Sequence, residues 1–180
     1  MEDTARMLLM FGVVPLWVAA GTADWACHRR TRIAETSGLP ENLFHWLLLA
    51  EGGALLLAVA LLEITAGVLL LGFALFLAHE LTTWIELRYT VPRREVRPIE
   101  QMVHSFMEIL PLAVLLLAAV LAGGQGLAVF GQGAADFGLR PKAQPWPPGY
   151  LLSVAGAVAL LNLLPMAEET RRCLRARAGR

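Results

Sequence analysis

Four histidines, His28, His45, His79 and His104, stand near the ends of long apolar stretches, and each has carboxylates at helical spacing. Asp24 lies four residues before His28, Glu41 four before His45, and Glu100 and Glu108 four on either side of His104. Glu86 follows His79 by seven. An α-helix turns about 100° per residue, so positions four or seven apart share a face. Ionisable groups within apolar helices are costly and by default mark a functional site. Imidazoles and carboxylates converging from several helices are the means by which helical bundles hold pairs of iron or manganese ions. The pattern predicts a metal centre with His28, His45, His79, His104, Asp24, Glu100 and Glu108 as ligands.

Four further acids are candidates for the metal or for groups that orient its ligands: Glu41, Glu51, Glu80 and Glu86. Glu51 is about 120° around the helix from His45, and Glu80 about 100° from His79, so neither lies on the stripe of its histidine. A lone histidine near a membrane interface is more often a hydrogen-bonded side chain than a ligand. All four on one side is the feature that raises the metal reading above that alternative. Arg29, Arg93, Arg94 and Arg97 are placed to guide an anionic headgroup, although membrane topology alone accounts for them. Cys27 and Cys173 lack the spacing of a zinc or redox pair and read as free thiols.

The elements that must position these residues are membrane helices. The chain has 180 residues, 57% of them hydrophobic, and a formal net charge of +0, which removes any argument for nucleic acid. Mean hydropathy is +0.57. Apolar runs of spanning length recur throughout and predict one transmembrane domain over 1–180, with spans at about 7–28, 41–62, 66–87, 99–121 and 149–165. The predicted fold is an all-α integral membrane protein of five transmembrane helices, four forming an antiparallel bundle around a polar metal-binding core. Residues 122–148, rich in Gly and Pro, read as an outer loop, and 166–180 as a basic tail. A signal peptide would begin with basic residues, whereas this chain begins MEDTAR, so the first span is expected to be retained.

Twelve of the fifteen Lys and Arg residues fall in the first and third links and the tail, which five spans place on one side. Positive residues favour the cytoplasm. The expected placement is therefore a bacterial-type cytoplasmic membrane, N-terminus outside and C-terminus inside, with the histidines near the cytoplasmic face.

Mixed imidazole and carboxylate donors without thiolate suit iron, manganese or zinc. The supply of ligands exceeds what one tetrahedral zinc takes and predicts two transition-metal ions, with iron favoured. With iron, an oxidoreductase of hydroxylase, desaturase or oxygenase type is expected, acting on a lipid-soluble substrate and drawing on an electron donor. With zinc, the same site would serve hydrolysis. The layout is similar to that of integral-membrane di-iron hydroxylases and desaturases. Those carry H-x3-H and H-x2-H-H boxes, whereas this chain has D-x3-H and E-x3-H, closer to carboxylate-rich di-iron proteins. The alternatives are a b-type cytochrome with haem between paired histidines, and a small transporter using the same polar core. Self-association is open at this stage.

Overall fold

The computed structural model describes residues 2–179 and is all-helical, with no strand among them. Arg180, counted in the basic tail above, lies outside the described residues. Five helices are long and apolar enough to cross a membrane: α1 (Glu2–Thr31), α2 (Leu39–Leu61), α3 (Ala66–Thr90), α4 (Pro98–Leu121) and α6 (Pro148–Ala178). A short α5 (Gly124–Ala128) follows α4.

Local chemistry accounts for the boundaries. The first helix ends at Arg32, a non-glycine residue in the left-handed region (φ 56°), whose N–H closes on the His28 carbonyl. Gly38 (φ 72°) begins α2, with Pro40 in the first turn where its missing N–H costs nothing. The third helix is capped by Thr65, whose hydroxyl accepts from the Val68 N–H at 3.2 Å. Pro98 opens α4.

Prolines inside the helices have consequences for the interior. A proline has no N–H for the carbonyl four residues back. Pro15 and Pro165 each follow a π-helical turn, Leu9–Val13 and Ala159–Leu163. The carbonyl that Pro165 leaves free, that of Leu161, accepts instead from the Thr22 hydroxyl at 3.0 Å. Asn162, on the same π turn, donates to the Val18 carbonyl at 3.1 Å. A Cβ on Gly21 would stand 2.6 Å from the Asn162 amide nitrogen, so a glycine there lets α1 and α6 approach.

Helix α2 packs most extensively on α3, α1 on α4, and α6 against both α1 and α2. The interior is sorted by chemistry along its length. One end is an apolar plug built from Leu9, Val14, Leu55, Val59, Leu69 and Val114. The other holds buried Asp24, His28, Glu41, Asn42, His45, Glu86, Glu100 and Glu169. Large apolar side chains such as Leu57, Phe73, Leu77, Leu116, Leu152 and Leu160 face outward.

The 122–147 connection folds back over the turn between α2 and α3. Main-chain N–H groups of Glu63 and Gly67 donate to the carbonyls of Arg140 and Asp136, both at 3.0 Å. Lys142 caps α2 by donating from Nζ to the Val59 carbonyl at 2.6 Å. Burial, with a smaller contribution from Arg6, lowers the pKa of this ammonium, and Glu63 opposes the shift.

Candidate metal centre

The C-terminal part of α1, the start of α2, the start of α4 and the middle of α6 meet at the polar end. His28 is at the centre and 1% exposed. Its Nδ1 lies 3.1 Å from Glu169 Oε2, and its Nε2 lies 3.3 Å from Asp24 Oδ1 and 3.5 Å from Glu100 Oε1. Asp24 Oδ1 is also 2.9 Å from His104 Nε2. The His45 ring stacks on that of His28, centroids 4.4 Å apart and planes within 14°.

Two sets of donor atoms result, each lying within 4.8 Å of one another: Asp24, His28, Glu100 and His104, and then His28, Glu41 and His45. His28 belongs to both. No hydrogen-bond partner exists among the described residues for His28 Nε2 or for either ring nitrogen of His45. Unpartnered buried polar atoms are expensive, and here they line one small space.

The charge balance is lopsided. Asp24, Glu41, Glu86, Glu100 and Glu169 are all buried, and the buried guanidinium among them is that of Arg94. Arg94 bonds to both Glu41 and Glu100, with Nε 3.1 Å from each Glu41 oxygen and Nη1 3.1 Å from Glu100 Oε2. Burial works against its charge, but the hydrogen bonds and attraction from the two carboxylates outweigh this and hold its pKa above the usual range. Arg94 therefore braces the site from within, which corrects the expectation that it faces a headgroup. The other three arginines are on the surface. Arg29 lies 3.7 Å from Glu168 and over the Trp25 ring, Arg93 stacks on Tyr89, and Arg97 immediately precedes α4.

Glu169 is the principal residue that sequence reasoning missed. The sequence places it in the basic tail 166–180, yet it is 1% exposed. Its Oε1 accepts from the Asn42 amide at 2.9 Å and lies 3.7 Å from His45 Nδ1. Thr170 and Trp46 extend the same network: Thr170 donates to Asn42 at 2.7 Å, and Trp46 donates to Thr170 at 3.0 Å. A signal was present. Asn162, Glu169 and Cys173 recur at helical spacing and are buried in an otherwise basic segment.

His79 was expected at the same depth as the other histidines and is not. Seven residues of helix separate it from Glu86, about 10 Å along the axis. Its ring lies near the main chains of Leu48 and Met107, and its Nδ1 has no hydrogen-bond partner among the described residues. The Met107 carbonyl is the one that Pro111, four residues later, leaves without a helical donor. Glu51 lies 3.7 Å from His79 Nδ1 and accepts from Thr82 at 2.9 Å. Glu108, one turn beyond His104, is close to Glu80 rather than to the His28 group. His79, Glu51, Glu80 and Glu108 thus form a second, deeper polar tier. Glu86 remains at the upper level, accepting from Thr90 at 2.8 Å and facing His104.

An apolar cavity of about 130 Å³ adjoins the His28 group, with Asp24, His28, His45 and Glu169 at one end. No protein-family model matches the chain, and no curated protein or solved structure matches it significantly.

Proposed function

We propose that the chain is a membrane-embedded metalloprotein whose four polar-ended helices, α1, α2, α4 and α6, enclose a dinuclear site near the cytoplasmic face. The carrying observation is the direction of the His28 ring. With its Nδ1–H donating to Glu169, the Nε2 lone pair would face two carboxylate oxygens, Asp24 Oδ1 and Glu100 Oε1. Three acceptors in that arrangement repel unless a cation stands among them. Asp24, His28, Glu100 and His104 would hold one ion, and Glu41 and His45 would contribute to the second.

The chain's own residues do the positioning. Glu169 fixes the tautomer and orientation of His28, as carboxylates behind metal-bound imidazoles do. Arg94 neutralises part of the charge on Glu41 and Glu100; Glu41 Oε1 accepts from it twice, while Glu41 Oε2 and both Glu100 oxygens accept once each and keep a lone pair. The apolar wall of the cavity excludes water and gives a lipophilic substrate access. Iron bound here would supply dioxygen activation, and the reaction class is oxidative: hydroxylation, desaturation or cleavage of a lipid-soluble molecule. Two histidines stacked face to face are poor axial ligands for haem, which needs them on opposite faces of a porphyrin. The many outward apolar side chains and the sorting of arginines support insertion in a bacterial-type inner membrane.

A second reading, a proton-coupled carrier, is favoured by the direct approach of His104 to Asp24 at 2.9 Å. There the cation is a proton on the imidazole. Elemental analysis of the purified protein separates the two. About two transition-metal ions per chain are expected, falling to nearly none in His28→Ala (the two-metal logic). Folded wild-type protein without metal would defeat the metalloprotein reading and leave the carrier.

A further inference from the structure

The cavity beside the candidate centre has a shape that selects its occupant. Its walls extend from Val14 to His28 along α1, about 20 Å of helix. The α1 residues on that wall, Val14, Trp17, Gly21, Asp24 and His28, form one stripe at helical spacing, so the space is elongated along the helix. An elongated apolar space of this kind suits a chain lying along it. Chemistry is polarised along the same axis, with His28, His45 and Glu169 at one end and Val14, Leu56 and Val154 at the other.

Two adjacent glycines of α2 shape the middle of this space. A Cβ on Gly52 would stand 2.6 Å from the Trp17 ring, so that side is closed by the indole. At Gly53, also on the cavity wall, a Cβ would meet no heavy atom within 4 Å. The open bore at this level therefore depends on the missing side chain of Gly53.

We infer that the cavity is the binding site for a single-chain amphiphile, an unbranched alkyl or acyl chain with an oxygen-bearing head, and that Gly53 sets the length of chain admitted past the metal-ligand end. The inference rests on the dinuclear reading, because the head is held by the metal. The chain extends from the His28 level past Gly53 toward Val14.

Alkyl hydroxamates test this, since their head groups chelate metal and their tails can be varied. Binding of acetohydroxamate and dodecyl hydroxamate is compared between wild type and Gly53→Leu in the same lipid nanodiscs, so that partition into lipid cancels. Acetohydroxamate should bind both proteins equally. The dodecyl compound should bind Gly53→Leu about tenfold or more weakly, the effect of forcing side-chain volume into filled space. Gly53→Ala should show a smaller loss in the same direction. Gly156→Leu, at an exposed glycine with open space around it, should match wild type for both ligands. Equal dodecyl binding by wild type and Gly53→Leu overturns the inference while acetohydroxamate binding keeps the metal reading intact. Failure of both ligands on a metal-free wild type removes the metal reading and the inference together.

Discussion

Glu169 joins two stacked histidines: its Oε2 lies 3.1 Å from His28 Nδ1 and its Oε1 lies 3.7 Å from His45 Nδ1. The rings themselves are 4.4 Å apart. Two imidazolium charges at that separation would repel by about 4 kcal/mol at an effective dielectric of about 20. Glu169, within 3.7 Å of both rings, offsets that repulsion. Glu169→Gln removes the charge that orients His28 but keeps the side-chain volume. It should weaken metal affinity by roughly 10- to 100-fold, as loss of such supporting groups does. Competition against a chelator measures this, and unchanged affinity would separate Glu169 from the site.

Arg94 tests the electrostatics of the same region from the other side. Its side chain is 2% exposed and both of its acidic partners are 0% exposed. Arg94→Met leaves Glu41 and Glu100 buried without their cation, which should cost about 3–5 kcal/mol. Unfolding in detergent reports the loss, and Glu41→Gln in the same chain should recover part of it. A variant as stable as wild type would mean that water or another cation reaches the carboxylates freely.

His79 is expected to behave differently from the other three histidines. His79→Gln should leave the metal content unchanged and lower stability by about 1–3 kcal/mol, the cost of withdrawing the buried imidazole from beside the Met107 carbonyl. Pro111→Ala restores an N–H for the Met107 carbonyl. In that background the penalty of His79→Gln should shrink, a coupling that a double-mutant cycle reads directly. Loss of metal from His79→Gln would instead place His79 in the centre.

Lys142 carries a pH dependence whose sign follows from its position. Burial and Arg6 lower its pKa from the ordinary 10.5, so the folded chain binds fewer protons there than the unfolded chain. Stability rises with pH wherever the unfolded state holds more protons. The Lys142 contribution should increase from its lowered folded value up to about pH 10.5 and then level off. Comparing wild type with Lys142→Met across alkaline pH isolates it; a flat difference would show that the ammonium stays well solvated in the folded chain.

Much of the architecture was legible in the residue order, since five long apolar helices follow from hydropathy and the bracketing turns from Gly38, Pro40, Pro92 and Pro98. Helical phase also brought Asp24 to the face of His28, and Glu100 to that of His104. These are local relationships, fixed by 3.6 residues per turn. Depth and partner choice are not local. His79 and Glu108 share the expected faces but lie deeper, because axial rise separates residues that angular phase aligns. Arg94 turns inward because the third link brings it between Glu41 and Glu100, a contact spanning 53 positions for Glu41. Glu169 enters the site because α6 passes Pro165 through a π turn and continues as helix against α1 and α2. Residue types and periodicity determined that imidazole and carboxylate side chains gather at one end of the helices. Only the packing of α6 and the link before α4 decided which carboxylates and which cation surround His28.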